Sequence, residues 1–479
     1  MIAASNHYDV VVIGSGPAGQ NAAVEAGRRG ARVLIIEREK RVGGACVQYG
    51  TIPSKTLRET AVTLTAFRRR SGNVYNISQD CHLSIASLMT RLEQVVNAHQ
   101  DATECCLEMA GVERAYGRGS FVAADEVKIE SVDGRSWAVL ADKVVIATGS
   151  RPRTASHIAV DHENILDSDS ILSMTYLPQS IAVLGSGVIA CEYASTFAAL
   201  GVKVVMIDKW PAPLGFLDAD LVAVFLSRFQ ANGGRFRGGC GVRSVVWDGV
   251  SQVEVSLDSG EVIRADKALA AMGRIANLDS LQIENAGLRA NDRELLDVNE
   301  FCQTSVPNIY AVGDAIGPPA LASTSMEQGR RAVCHALNES HCATADLIPT
   351  GIYTIPEMAM IGLSEKQAIE RHGAAIVGTV PFDRLARAHI MASDGGLLKL
   401  VADGAGRQLL GIQIAGDTAS ELIHPGQLAM LGNIPIDAFA GTIFNFPTMA
   451  EAYRLAALEI LHRRPATAGF RPVQATCHA

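Results

Sequence analysis

Twice along this chain, apolar and small residues fall into the same order. Val10-Val11-Val12-Ile13 is an unbroken apolar run of strand length, followed by the turn Gly14-Ser15-Gly16-Pro17-Ala18-Gly19. An alanine-rich stretch then predicts a helix, and a second apolar run over 32–36 predicts a strand ending on Glu37. The order returns farther on, with Ile181-Ala182-Val183-Leu184, then Gly185-Ser186-Gly187-Val188-Ile189-Ala190, a helix, and a strand over 203–207 ending on Asp208. First glycine and terminal acid are 23 positions apart in both copies.

A lone glycine motif says little, but strand, turn, helix, strand and acid in order describe a dinucleotide-binding unit. Gly14 permits the tight turn, Gly16 lets backbone approach a pyrophosphate, and Gly19 allows helix and strand to pack closely. The helix N-terminus offers unpaired N–H groups and partial positive charge to the phosphates. Glu37 and Asp208 can accept hydrogen bonds from a ribose diol. Gly185 and Gly187 repeat the scheme, and Ala190 takes the place of the third glycine. Two further strands, over 143–146 and 308–312, break into Ala147-Thr148-Gly149-Ser150 and Gly313-Asp314.

Composition narrows the picture. The 479 residues suffice for two to four domains with real cores, and 48% hydrophobic against 19% charged is a globular balance. A formal charge of −8 offers no global field for nucleic acid, and Arg68-Arg69-Arg70 reads as a solvated helix end. No stretch of about 20 residues is apolar and uncharged, and the N-terminus lacks a signal-peptide pattern. The ten cysteines are scattered, with no Cys-x-x-Cys, which points to reduced cytoplasmic thiols and no metal site.

The order of Gly14-x-Gly16-x-x-Gly19, Gly43-Gly44-x-Cys46, Ala147-Thr148-Gly149, Gly185-x-Gly187, Gly273-Arg274 and Gly313-Asp314 resembles the flavin disulfide-reductase superfamily. So do Tyr353-Thr354-x-Pro356-Glu357 and Pro447-Thr448-x-x-Glu451. The resemblance implies a glutathione-reductase-like α/β fold. It consists of an FAD-binding domain of residues 1–155 and 276–346, an NAD(P)-binding domain at 156–275, and an α+β dimerisation domain at 347–479 that makes a homodimer.

Two departures matter. Disulfide reductases carry a second cysteine five residues after the first, where this chain has Thr51, and a His-Pro-Thr base, where it has Phe446-Pro447-Thr448. Neither hydroxyl nor phenyl ring can serve a dithiol relay. The soluble, Si-specific pyridine nucleotide transhydrogenases share this pair of losses, along with stretches such as Tyr49-Gly50-Thr51-Ile52-Pro53-Ser54-Lys55. NAD(P)H:quinone or dye reductases without redox cysteines share part of the pattern, and a degenerate FAD-binding sensor is a third reading.

The resemblance also implies roles. Lys55, toward the end of the helix that Cys46 begins, pairs with Glu192 beside the flavin. Cys46 is either a weakly polar wall or an inherited small residue. Gly44, Thr148, Gly149, Gly313, Asp314 and the helix at Ala322 hold FAD, with Gly273 and Arg274 at the domain crossover. Asp208 favours NAD(H), while Ala190 and Lys209 leave NADP(H) tolerated. The expected course is ping-pong, with a nicotinamide nucleotide or a quinone as second acceptor.

Overall fold

The computed structural model describes residues 6–71, 85–338, 347–393 and 395–465, with side chains of 68–71, 85 and 86 excepted. The arginine run 68–70 therefore lies outside the described side chains. Its first sheet has β1 (His7–Ile13) and β2 (Val33–Glu37) as neighbours, and almost every residue of the two strands is buried. Between them lies α1 (Pro17–Arg28), whose Ala18, Ala22, Ala23 and Ala26 are buried. Small side chains let this helix sit tightly on its neighbours. A Cβ on Gly19 would lie 1.9 Å from the Gly14 carbonyl oxygen, so no other residue fits there.

After α2 (Gly44–Gln48), α3 (Thr51–Ser71) and α4 (Ile85–Met109), the sheet gains β3 (Glu113–Tyr116), β4 (Arg118–Ala123), β5 (Glu126–Glu130) and β6 (Ser136–Ile146). Its order is β3-β2-β1-β6-β5-β4, parallel from β3 to β6 and antiparallel through β5 and β4.

The chain leaves through β7 (Ser150–Pro152) and builds a second parallel sheet. Its strands are β8 (Ile165–Asp167), β9 (Ser180–Leu184), β10 (Lys203–Ile207), β11 (Arg235–Arg237) and β15 (Lys267–Ala270), in the order β11-β10-β9-β15-β8. Helices α5 (Val188–Ala199) and α6 (Ala219–Ala231) join them, with an antiparallel layer of β12 (Val242–Trp247), β13 (Val253–Leu257) and β14 (Val262–Ala265). Phe197, Phe225 and Phe229 are fully buried here, each worth about 1.5–3 kcal/mol.

The return strand β16 (Arg274–Ala276) pairs antiparallel with β7. Then β17 (Ile309–Ala311) joins β6, and α7 (Ala322–Ala336) packs on α1 where a Cβ on Gly329 would strike the Ala18 carbonyl at 2.1 Å. His335 is absorbed by packing: it stacks on Phe301 and is hydrogen bonded to Tyr310 Oη at 2.9 Å.

A third, antiparallel sheet comprises β18 (Thr350–Ile352), β19 (Met358–Gly362), β20 (Ala375–Pro381), β21 (Leu397–Asp403) and β22 (Leu409–Ala415), in the order β18-β19-β22-β21-β20. Around it lie α8 (Glu365–His372), α9 (Ala386–Met391), α10 (Ala419–Leu431), α11 (Ile436–Gly441) and α12 (Glu451–Arg463). One apolar core runs from Leu57 and Ala61 of α3 through α5 to Ile352, Met358 and Ala415 of this sheet. An ion cluster around one buried lysine ties the start of α6 to α8 and β21. Lys399, with a 4% exposed side chain, places Nζ 2.6 Å from Glu365, 3.0 Å from Asp218 and 3.1 Å from Asp220.

Candidate active site between two nucleotide-binding units

The two glycine turns share three hydrogen bonds, and the first adds one from Ser15 N–H to Glu37 at 2.9 Å. Gly14 N–H donates to Ile36 O at 2.8 Å, and Gly185 N–H to Ile207 O at 2.8 Å. Ser15 Oγ donates to Glu37 at 2.6 Å, and Ser186 Oγ to Asp208 at 2.7 Å. The N–H two residues past each acid closes the frame, from Glu39 to Glu37 at 3.0 Å and from Trp210 to Asp208 at 3.1 Å. Each acid thus braces its own turn. The serine in the second place of both turns carries no sequence signal of its own, because serine is common in turns.

The copies differ at the third glycine. Gly19 is jammed against Gly14, whereas in the second copy the α5 backbone stands off enough to hold Ala190, fully buried. Neither Gly16 before α1 nor Gly187 before α5 gives its helix a side-chain cap. A Cβ on Gly187 would meet nothing within 4 Å. An uncapped helix start with open space before it suits a pyrophosphate. Gly43 N–H donates to Ser15 O at 3.1 Å, and Gly44 lies so close to Gly16 that a Cβ on it would be 2.7 Å from that Cα. The turn and the start of α2 therefore form one cradle, and past the strand end at Glu37 opens a cavity of about 520 Å3 lined by Arg38, Glu39, Gly117, Arg118 and Glu130 to Val132. These residues fit FAD in the first unit and a nicotinamide dinucleotide in the second.

Cys46 and Lys55 do not share a helix as expected. Cys46 lies in α2, the chain turns at Tyr49-Gly50, and Lys55 stands in the second turn of α3. Gly50 N–H caps back to Ala45 O at 2.7 Å, an approach that suits a residue without a Cβ. Thr51 then starts α3, five residues after Cys46. Burial pushes the Cys46 thiol's pKa up, although Thr51 and Lys55 pull the other way, so it is a neutral neighbour rather than a nucleophile.

Lys55 reaches the second unit. Its Nζ lies 2.6 Å from Glu192 Oε2 on α5, with side-chain exposures of 23% and 11%. The third sheet completes the contact: Tyr353 N–H donates to Glu192 Oε1 at 2.8 Å, and the Tyr353 ring lies 5.0 Å from Lys55 Nζ. The same loop is pinned by Ile355 N–H to Ser195 Oγ at 3.1 Å and by Arg58, which contacts Thr354 O at 3.2 Å and Glu357 at 3.1 Å. Tyr353 belonged to a matched motif, but its seat on the ion pair had no sequence signal.

Asp314 and Arg274 meet through Ser150. The Ser150 hydroxyl donates to Asp314 at 2.5 Å and accepts from Arg274 Nε at 2.8 Å. Arg274 also grips Ser150 O at 2.8 Å and Ser168 and Asp169 at 3.0 Å, so its guanidinium serves the crossover between units. Gly273 (φ +103) precedes it in the left-handed region. Gly313 N–H donates to Gln328 at 2.8 Å, and Asn277 binds the carbonyls of Thr148 and Gly149 at 3.0 and 2.9 Å. Thr148 Oγ1 is buried with no hydrogen-bond partner among the described residues. Ala322 is the first residue of α7. Phe446, in place of the histidine base, is 72% exposed on this protomer. The described residues contain no group of three or more potential metal-ligating side chains and no helix long and apolar enough to cross a membrane.

Two dinucleotide units meeting at an ion pair, with an antiparallel third domain, define an FAD- and NAD(P)-dependent oxidoreductase. The chain belongs to the pyridine nucleotide-disulphide oxidoreductase family, whose model matches residues 8–329 and whose dimerisation domain matches 348–457. It is 40% identical to the soluble pyridine nucleotide transhydrogenase of Yersinia pestis (strain Pestoides F) over 467 residues, covering 95% of this chain and 98% of that one. The enzyme of the same name from Yersinia pseudotuberculosis serotype O:3 (strain YPIII) gives the same values. Among solved structures, LpdA from Mycobacterium tuberculosis superposes with a TM-score of 0.87 at 28% identity, covering 94% of this chain and 99% of that chain. The HOCl-induced flavoprotein disulfide reductase RclA from Escherichia coli does so with 0.85 at 25% identity and the same coverage.

Proposed function

We propose that this protein is a cytoplasmic homodimer that passes reducing equivalents between NAD(H) and NADP(H) by way of bound FAD. One observation carries the reading: the Lys55–Glu192 pair spans two nucleotide units while Thr51 fills the place of a second redox cysteine. FAD, when bound, supplies the capacity to accept and return two electrons with a proton, which no side chain here has.

The chain's part is to bind, orient and compensate charge. The Gly14–Gly19 turn, Gly44, Glu37, Thr148, Gly149, Gly313, Asp314 and the start of α7 at Ala322 would hold FAD, with Arg274 fixing Asp314 through Ser150. The Gly185–Ala190 turn and Asp208 would hold the nicotinamide nucleotide. Lys55 keeps a positive charge where negative charge develops, and Glu192 and Tyr353 fix its position. Cys46 lines the site as a neutral thiol. The division at 1–155 with 276–346, 156–275 and 347–479 is the working domain scheme.

The test is rapid mixing of the FAD-loaded protein with NADPH, then with NAD+ or a quinone. Bleaching by NADPH and prompt recovery with NAD+ is the expected course. Recovery only with the quinone would replace the reading by a diaphorase, and no bleaching with NADPH or NADH would leave a binding protein.

A further inference from the structure

The duplication supplies an internal control for nucleotide choice. In the first unit the acid is followed by Arg38 and Glu39, and Arg38 Nε pairs with Glu39 Oε1 at 3.4 Å. The cation next to the ribose acid is thus cancelled by a second acid. In the second unit the corresponding residues are Lys209 and Trp210. The backbone frame is kept, with Trp210 N–H on Asp208, but the second acid has become an indole. Lys209 Nζ lies 5.4 Å from the centre of the Trp210 ring and has no carboxylate partner among the described residues.

An aromatic face steadies an ammonium without neutralising it. The rim itself is fixed: Asp208 N–H donates to Arg237 O at 3.1 Å, Cys240 N–H to Asp208 O at 3.0 Å, and Gly239 N–H to Trp210 O at 3.1 Å. Arg237, the other nearby cation, is paired with Glu261. Both oxygens of Asp208 already accept protein hydrogen bonds, which spreads its charge. An acid at this strand end suits a free 2′-hydroxyl and disfavours a 2′-phosphate.

We propose that Lys209, laid over Trp210, is the cation that admits the 2′-phosphate of NADP(H) beside Asp208, so that one site takes both nucleotides. This rests on the transhydrogenase reading and assigns the residue that reading requires.

The test is calorimetric binding to the FAD-loaded protein of two ligands that differ only in the phosphate, 5′-AMP and adenosine 2′,5′-bisphosphate. Lys209→Met should weaken the bisphosphate about tenfold, the scale of one hydrogen bond to a charged group, and leave 5′-AMP within about twofold. Lys209→Arg should restore the difference. Trp210→Glu, which rebuilds the first unit's ion pair, should also lose bisphosphate binding selectively. Equal weakening of both ligands, or an unchanged ratio in Lys209→Met, overturns the assignment while leaving the transhydrogenase reading intact. A wild-type protein that binds 5′-AMP but not the bisphosphate overturns both.

Discussion

Lys55 and Glu192, 137 residues apart in the chain, meet at 2.6 Å with the Tyr353 backbone holding the far oxygen of the carboxylate. Lys55→Met should slow bleaching of the bound FAD by NADH about a hundredfold, the loss of roughly 3 kcal/mol expected when one preorganised charge is removed. Glu192→Gln should slow it less, because it orients the ammonium. Single-turnover absorbance at equal FAD content is the measurement, and a wild-type rate in Lys55→Met would falsify the role.

Asp208→Asn should raise catalytic efficiency with NADPH relative to NADH by about 1–3 kcal/mol in the discrimination, since a 2′-phosphate would no longer face a like charge. Steady-state kinetics with both nucleotides checks this. A fixed ratio means the acid braces its turn and nothing more.

Cys46→Ser should leave the bleaching rate within about threefold, because a neutral, half-buried thiol has no charge to contribute. The wild-type protein should turn over neither lipoamide nor glutathione disulfide. Measurable reduction of either substrate would restore a dithiol role that Thr51 and Phe446 deny.

Gly19→Ala should destabilise the fold by about 2–4 kcal/mol, because its Cβ would lie 1.9 Å from a backbone oxygen with no room to relax. At the equivalent place, Ala190→Gly should cost only about 1 kcal/mol through backbone entropy. Denaturant titration of the two variants reads the contrast.

Lys399→Met should cost about 3 kcal/mol by leaving three carboxylates uncompensated, the low end of the range because solvent reaches Asp220 and Glu365. Burial opposes the lysine's charge, but Glu365, Asp218 and Asp220 outweigh it and raise its pKa in the folded state. The folded protein therefore holds this proton more tightly than the unfolded chain. The stabilisation is complete below about pH 10, the range of a free lysine, and fades as pH climbs toward the folded value. Urea melts at pH 8 and 11 should show a loss that Lys399→Met lacks.

What could be read from sequence alone is what backbone geometry demands locally. Gly14 and Gly185 announce themselves because their turns tolerate little else, and Glu37 and Asp208 because a strand has to end near the ribose. Lys55 and Glu192 were reached by resemblance, since nothing local says that α3 and α5 touch. Lys399 gives no such signal: a lysine between leucines reads as one solvated face of a strand, and its three acids lie on other elements. The break at Gly50 is not legible in sequence, because a single glycine in a helical pattern is ambiguous until its carbonyl neighbours are placed.

The first sheet closes only when β17 returns to β6, with Tyr310 beside Val145. During synthesis this sets an order. The second sheet has all its strands once Ala270 is made, while the first still lacks β17 and the helix that presses on α1. At typical elongation rates Val145 waits on the order of ten to thirty seconds for its partner. The inserted unit can therefore close its sheet while the half-made cradle around Gly14 still lacks β17 and α7.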